Sequence, residues 1–414
     1  MPLSRKFLIN IFGNVVEFYD FTLFAFLSST MAPLFFPSEN QLVSLLVALS
    51  VFGVSFFMRP LGAIFLGYLG DIWGRKVALK LAVVSMALSS FAIAVMPTYD
   101  QIGVCAPILF VLVRLIQGFS VGGEYSGAVV SSLESVDAQE RYLAGGFVTS
   151  SSVVGTLLAS IVTVLLHQSW MPAYSWRFGY FFGALMGGGV YWLVHCYACN
   201  NLNVRKRISV RAMFAELWRD SRRELVATFT IASFSGVFFY TAFSLASVIM
   251  VSVRHWDPVW AHMASIGGMV TYLACVPLFA LIAGHKGGVR VMLVGVGLTL
   301  VVGTGALLMI LHCNEYIWIV LGNVLLSFCC AVSQAPINGL MCMAFPQARR
   351  YSGFGAAYGI GISLFGGLTG MILVRLVLLH ASGIWVLVYL QTMTLVAGVT
   401  LYRWQRQLAI SRGY

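Results

Sequence analysis

The sequence predicts an all-α membrane protein with twelve transmembrane helices in two six-helix bundles, and composition, the length of apolar runs and internal repetition support this prediction. Apolar residues make up 59% of the 414 residues and charged residues only 9%, and the mean hydropathy is +0.89. A water-soluble domain carries charge on about 25% of its residues. The composition therefore excludes a soluble globular protein and indicates that lipid surrounds most of the chain.

Apolar runs long enough to cross a hydrocarbon core of about 30 Å, which takes about 20 helical residues, occur twelve times. They are 8–36, 41–70, 77–97, 102–133, 143–167, 177–198, 225–253, 258–283, 290–311, 316–344, 352–379 and 383–403. Strands of membrane barrels are shorter and alternate apolar with polar residues, which these runs do not. Because a segment in lipid must satisfy its own backbone hydrogen bonds, each run is predicted to be a helix.

Lys and Arg residues lie almost entirely on one side of this predicted topology. Of the 25, only Arg177 and Arg254 fall on the opposite side, while Arg59, Arg114 and Arg375 fall within spans. Loops rich in Lys and Arg stay in the cytoplasm, so both termini are predicted to be cytoplasmic. The net charge of +11 is then a consequence of topology, and we expect no nucleic-acid partner.

Two similar halves are predicted on either side of a basic linker. The first bundle is assigned to 1–198, a cytoplasmic linker with a short amphipathic helix to 199–224, and the second bundle to 225–414. The run GDIWGRK at 70–76 has a counterpart, GHKGGVR, at 284–290. Membrane transporters are commonly built from such duplicated halves.

Ionisable residues inside the predicted spans are the first candidates for function, since each costs at least about 2.5–3.5 kcal/mol at mid-membrane. Glu17 and Asp20 lie about one turn apart on one face of the first span. Gly118 and Gly122 in the fourth span allow close helix contact and are expected to bring Arg114 against a carboxylate. Asp20 is the expected protonatable group, with Glu17 and Arg114 as its partners in proton coupling. The alternative is a permanent salt bridge that only fixes packing.

Further polar residues in the spans are candidates for substrate binding. In the first half they are Arg59, Gln117 and Glu124. The second half has no intramembrane acid, and its candidates are the neutral residues Tyr240, Asn323, Gln334 and Asn338. The alternative for these residues is a role in helix packing.

The run GYLGDIWGRK at 67–76 predicts a cytoplasmic gate. Asp71 can accept N–H groups at a neighbouring helix start, and Arg75 and Lys76 can bind carboxylates or helix C-termini. At the counterpart position in the second half stands His285, so a second gate is expected to be weaker.

Enzyme chemistry is not expected. The chain has no Ser-His-Asp arrangement and no HExxH motif, and its glycine cluster near Gly355 lies within a span rather than after a strand. Cys196 and Cys199 form a CxxC motif beside His195, but a fourth ligand at zinc-like spacing is missing. We therefore expect neither a metal nor a cofactor.

Several motifs resemble those of the major facilitator superfamily, and within it the metabolite:proton symporter family. These are the cytoplasmic motif just described, Asn14, Glu17, Tyr19, Asp20 and Phe21 in the first span, Arg59 to Gly62 in the second, Gln117 to Tyr125 in the fourth, Trp176-Arg177, and Phe345-Pro346 with Arg350 to Gly353. The chain departs from the family at Gly179 and Gly370, where relatives usually have proline.

This resemblance implies import of a small molecule with a proton by alternating access, and it adds Tyr19 to the substrate-binding candidates. We expect a monomer in the bacterial inner membrane whose partners are its substrate, the proton and the lipid bilayer. The first-half interior carries three anions and two cations, which suits a zwitterion or a small organic acid. One alternative is a proton-coupled exporter of a drug or a carboxylate siderophore. Another alternative is a sensor that binds its ligand without transporting it.

Overall fold

The computed structural model describes residues 5–73, 75–197, 210–253, 256–347, 350–379 and 383–411. Over these ranges the chain is helical, with no strand. The helices are α1 Arg5–Phe35, α2 Gln41–Trp73, α3 Arg75–Val95, α4 Tyr99–Ile102, α5 Cys105–Glu134, α6 Arg141–Leu166, α7 Trp176–Tyr197, α8 Val210–Asp220, α9 Arg222–Val248, α10 Pro258–Lys286, α11 Gly288–Leu298, α12 Thr304–His312, α13 Tyr316–Gln334, α14 Ile337–Met343, α15 Arg350–Gly361, α16 Gly367–Leu379 and α17 Ile384–Ser411.

In the described residues, eleven helical stretches are long and apolar enough to cross a membrane, and they correspond to eleven of the twelve predicted spans. The sixth predicted span is α7, a helix of 22 residues that is rich in glycine, tryptophan and tyrosine, which lower its mean hydropathy. Large apolar side chains such as Leu88, Ile317 and Val301 are exposed. An outer surface of this kind is suited to lipid rather than to water.

Among the residues that the structure describes, three of the second-half spans contain a π-helical turn. These turns are Ile249–Val253 after α9, Thr299–Gly303 between α11 and α12, and Ile362–Gly366 between α15 and α16. Each turn shifts the register of the helix that it interrupts.

Packing divides the chain into two compact units. The N-unit comprises Pro2–Ser132 and Ser151–Ala215, and the C-unit comprises Leu133–Ser150 and Glu216–Tyr414. The adjoining ends of α5 and α6 therefore belong to the C-unit. The division of the chain at 198 and 225 into two bundles stays a prediction.

The N-unit core includes a cluster of aromatic and aliphatic side chains, to which α2, α3 and α6 also contribute, and in which aromatic rings of α1, α5 and α7 meet. The ring of Phe35 lies 4.8 Å from that of Phe110 and 5.7 Å from that of Trp176, between ring centroids. Phe24 packs on Phe110 at 5.2 Å. This cluster holds the three helices against each other beside the buried charges described below.

The linker lies only partly within the described residues. Residues 199–209 fall outside them, whereas Val210–Asp220 forms the helix α8; its role as an amphipathic helix of a cytoplasmic linker stays a prediction. Leu217 is buried and Trp218 is 60% exposed, so the α8 side chains that the structure describes include an apolar one turned inward and an aromatic one that can meet the membrane surface.

Candidate functional site

Charged side chains are buried inside the membrane-spanning helices of the N-unit. Glu17 and Asp20 on α1 are 0% exposed, Arg114 and Glu124 on α5 are 1% and 3% exposed, and Arg59 on α2 is 5% exposed. Arg375 of the second half is exposed, as the end of a span allows. The ionisable groups that sequence reasoning selected in the first half are therefore gathered in one unit and shielded from solvent.

The predicted close contact along Gly118 and Gly122 is confirmed, and its partner is α2. The expectation that this contact brings Arg114 against a carboxylate is wrong, since Ser55 and Arg59 of α2 lie against the two glycines. A Cβ atom added at Gly118 would overlap the backbone carbonyl of Ser55, and one added at Gly122 would overlap the carbonyl of Arg59. Glycine at both positions lets the two backbones touch. The contact places Arg59 next to the α5 segment that carries Glu124.

Arg114 is linked to Asp20 through two intervening side chains rather than directly. Its Nη1 donates to Gln117 Oε1 at 2.8 Å, and Gln117 Nε2 donates to Ser90 Oγ at 3.1 Å. The Ser90 hydroxyl donates in turn to Asp20 Oδ2. We call this hydrogen-bonded series, together with Tyr180, the Arg114 chain. It connects a buried cation to a buried anion across α5, α3 and α1.

The other end of the guanidinium is held by aromatic groups. Arg114 Nη2 donates to the Tyr180 hydroxyl at 2.7 Å, and the Tyr180 hydroxyl donates to Met31 Sδ at 3.4 Å. The guanidinium carbon lies 4.1 Å from the centroid of the Phe24 ring. Cation–π contact of this kind stabilises a desolvated cation, so Arg114 can remain charged inside the bundle.

Glu17, Arg59 and Glu124 form a second group, which we call the carboxyl cluster. The charge on Glu17 interacts with those of Glu124 and Arg59. A Cβ atom added at Gly13 would lie 2.7 Å from Glu124 Oε1, so the Glu124 carboxyl lies against α1 one turn before Glu17. The Arg59 guanidinium carbon lies 4.4 Å from the ring centroids of both Phe21 and Phe56.

The carboxyl cluster leaves hydrogen-bonding groups unused. Neither oxygen of Glu17 has a hydrogen-bond partner among the described residues, and neither do Nε and Nη2 of Arg59. A buried polar group without a partner is costly. The cluster is therefore a place where a proton or a ligand can make new bonds.

Two further N-unit side chains on α1 connect it to neighbouring helices. The Tyr19 hydroxyl donates to the Gly179 carbonyl at 2.8 Å. Asn14 Nδ2 donates to the hydroxyls of Ser151 and Ser152 at 2.7 Å and 2.9 Å. Gly179, where the resemblance led us to expect proline, is thus the point at which α7 accepts a bond from α1.

In the C-unit, Gln334 lies in a small polar network. Ser235 Oγ donates to Gln334 Oε1 at 2.8 Å, and the Tyr272 hydroxyl donates to the same oxygen at 3.4 Å. Gln334 Nε2 donates to the Ser235 carbonyl at 3.1 Å. Tyr240 is half-buried and stacks edge-on against Phe239 at 5.4 Å.

Other second-half candidates form hydrogen bonds between helices. Asn338 Nδ2 donates to Thr149 Oγ1 at 3.0 Å and to the Gly145 carbonyl at 3.4 Å. Asn323 Nδ2 donates to the Ala264 carbonyl at 3.0 Å. Substrate binding by Asn338 or Gln334 stays a prediction, and in this structure both amides join helices.

The gating candidates are only partly visible. Asp71 lies two residues before the end of α2, and Arg75 begins α3. The side chains of both residues lie outside the described part of the chain, and Lys76 is half-buried. In the corresponding segment of the second half, Gly287 has φ +92°, a conformation that favours glycine. It forms the turn between α10 and α11.

Sequence reasoning missed Ser90 and Tyr180. A serine in an apolar helix usually bonds its own backbone, so Ser90 gave no signal. Tyr180 follows Trp176 and Arg177 by one turn, a hint that the same α7 segment faces the interior. Across the described residues, no group of three or more His, Cys, Asp or Glu is arranged to hold a metal ion.

Comparison with known proteins identifies the family. The profile of the Major Facilitator Superfamily matches residues 11–370. The chain belongs to this superfamily. It is therefore a multi-pass membrane transporter and not an enzyme. This result also confirms the predicted all-α fold of twelve spans in two bundles, which is the fold of the superfamily.

Curated relatives of this superfamily member include bacterial transporters. The putative proline/betaine transporter of Staphylococcus aureus (strain COL) is 28% identical over 374 residues, which cover 88% of this chain and 80% of that protein. The proline/betaine transporter of Escherichia coli (strain K12) is 27% identical, covering 86% and 74%. The glycine betaine/proline/ectoine/pipecolic acid transporter OusA of Dickeya dadantii (strain 3937) is 26% identical, with the same coverage.

Solved structures agree with this fold. The human organic anion transporter MFSD10 (TETRAN) superimposes with a TM-score of 0.74 at 15% identity, covering 97% of this chain and 99% of that one. The xylose transporter XylE from E. coli, in a partially occluded inward-open conformation, gives a TM-score of 0.73 at 16% identity, covering 96% and 97%. Both likenesses concern the fold alone.

Proposed function

We propose that this protein is a proton-coupled secondary active transporter that imports a small zwitterion or organic acid by alternating access. The observation that carries the proposal is the set of charges buried in the N-unit spans, each at most 5% exposed. Three carboxylates stand against two guanidinium groups, so one bound proton makes the set neutral. Asp20, Glu17 and Arg114 are the proposed proton-coupling residues.

A zwitterionic substrate is favoured by the relatives. Their names include proline, betaine, ectoine and pipecolic acid, and each of these molecules combines a carboxylate with a positively charged nitrogen. Arg59 is the proposed partner of the substrate carboxylate, since two of its nitrogen atoms have no hydrogen-bond partner in the part of the chain that the structure describes. Glu124 supplies the opposite charge nearby. Tyr19 and Gln117, and in the C-unit Tyr240, Gln334 and Asn338, are the remaining proposed substrate-binding residues.

The proposed setting is the bacterial inner membrane, with a monomer whose termini are both cytoplasmic. The asymmetric distribution of Lys and Arg supports this orientation. Asp71, Arg75 and Lys76, where α2 ends and α3 begins, are the proposed cytoplasmic gate.

Uptake into proteoliposomes tests the proposal. The substrate is radiolabelled proline or glycine betaine, and the outside solution is more acidic than the inside by about one pH unit. One proton moving down this gradient releases about 1.4 kcal/mol, which is enough for about tenfold accumulation of one co-transported substrate molecule. We expect accumulation to disappear when an ionophore collapses the gradient.

The direction of flux separates import from export. Accumulation only when the inside is acidic would favour the exporter instead. Binding of these substrates without counterflow or net flux would contradict transport of them altogether.

A further inference from the structure

The buried charges of the N-unit fall into two groups that differ in net charge. In the Arg114 chain, one guanidinium and one carboxylate, Asp20, are joined through Gln117 and Ser90, and their charges cancel. In the carboxyl cluster, Glu17 and Glu124 face the single cation Arg59. The excess negative charge of the N-unit interior therefore belongs to the carboxyl cluster.

Hydrogen bonding points to the same group. Asp20 Oδ2 already accepts a bond from Ser90, so that only one oxygen of Asp20, Oδ1, is buried without a partner among the described residues, whereas both oxygens of Glu17 are. A buried carboxylate with no donor is the least favourable form of this side chain. A proton on it removes the charge and supplies a hydrogen-bond donor.

The position of Glu124 allows two carboxyls to share that proton. Its Oε1 lies against Gly13, and residues 13 and 17 lie on one face of α1 because they are four apart in a helix. The charged groups that bear on Glu17 are Glu124 from α5 and Arg59 from α2. Near this face α6 contributes Ser151 and Ser152, which bind Asn14, and Tyr180 of α7 binds Arg114.

We propose that Glu17 and Glu124 share one proton, that this is the proton that drives transport, and that Asp20 stays ionised as the counter-charge of Arg114. The inference rests on the proposed function and specifies its coupling site. The proton enters from the outside onto the carboxyl pair, which brings the cluster to neutrality beside Arg59, and leaves to the cytoplasm in the inward-facing state. On α1 the proposed proton site, Glu17, lies one turn before Asp20, which is the site that the sequence alone led us to expect.

The experiment compares two modes of transport in the same proteoliposomes, with proline or glycine betaine as substrate. Accumulation driven by a pH gradient needs net movement of the proton, whereas counterflow, in which labelled substrate outside exchanges for unlabelled substrate loaded inside at equal pH, does not. Glu17→Gln should lose the roughly tenfold accumulation expected for one proton, while its counterflow should fall far less. Glu124→Gln should lose the same accumulation and also part of its counterflow, because Glu124 is a proposed substrate-binding residue as well. Asp20→Asn should lose both modes alike, because it leaves Arg114 without its counter-charge.

A positioning variant tests the pair without removing an acid. Gly13→Ala places a Cβ atom 2.7 Å from Glu124 Oε1, so the end of that flexible side chain must move away. We expect uptake to require a more acidic outside solution, because a separated pair holds a shared proton less firmly. Gly189→Ala is the control, since nothing lies within 4 Å of a Cβ atom there; it should change neither mode.

Each contrary result has a distinct meaning. If Glu17→Gln and Glu124→Gln both keep gradient-driven accumulation while Asp20→Asn loses it and keeps counterflow, the proton lies on Asp20, and the inference is overturned while the proposed function stands. Accumulation driven by a sodium gradient at equal pH would replace the proton with a sodium ion and overturn both. Failure of the wild-type protein to respond to any pH gradient, with counterflow intact, would overturn the proposed function itself.

Discussion

Replacing Arg114 with leucine is expected to lower the free energy of unfolding by about 3–5 kcal/mol, the usual cost of removing one partner of a buried charge pair. The change leaves the Asp20 carboxylate buried without its cation and leaves Gln117 and Tyr180 without the nitrogens that now bind them. Thermal unfolding of the purified protein in detergent measures the loss, and counterflow should fall together with gradient-driven uptake.

A double variant shows whether the link to Asp20 matters. Arg114→Gln and Asp20→Asn each leave one uncompensated charge, whereas the two together leave none. We expect the double variant to be more stable than the sum of the two single effects predicts, which is the signature of coupled groups. Additive losses would show that Arg114 and Asp20 act independently and would contradict the Arg114 chain.

Placing alanine at Gly122 is expected to cost about 3 kcal/mol, at the upper end of the usual effect of overpacking. The new methyl group would overlap the Arg59 carbonyl, which is backbone and cannot rotate away, so α5 and α2 must separate. We expect a lower melting temperature and a smaller monodisperse fraction in size-exclusion chromatography. Gly118→Ala, which would overlap the Ser55 carbonyl, should behave in the same way.

The matched control is again a glycine in a membrane helix of the same unit. Gly188→Ala on α7 meets nothing within 4 Å and should leave the melting temperature unchanged or raise it slightly, because alanine favours the helix more than glycine does. Equal losses at Gly122 and Gly188 would show that the α2–α5 contact is not the cause.

Much of the fold could be predicted from the sequence because lipid imposes a simple rule. A spanning helix must be long and apolar, and α3, for example, begins and ends within two residues of the predicted span 77–97. The π-helical turns could not be predicted in this way, since one extra residue in a turn leaves the apolar pattern almost unchanged. The aromatic and glycine-rich α7 shows that low hydropathy alone does not exclude a membrane helix.

The candidate site was predictable where a charge stands in an apolar run, as at Glu17, Asp20 and Arg114. The way in which these charges are connected was not, because it depends on neutral side chains. Ser90 and Tyr180 are common in membrane helices and give no signal of their own. Similarly, the role of Gly13 appears only when the Glu124 carboxyl is seen against it.

The π-helical turns of the second half have a consequence for motion. Such a turn interrupts the regular hydrogen-bond ladder of the helix, and helices commonly kink at such turns. In the described residues these turns, from Ile249, Thr299 and Ile362 onward, lie in the half whose spans carry no buried carboxylate. Bending at these turns would therefore change the shape of a helix without moving a buried carboxylate through the hydrocarbon core of the membrane.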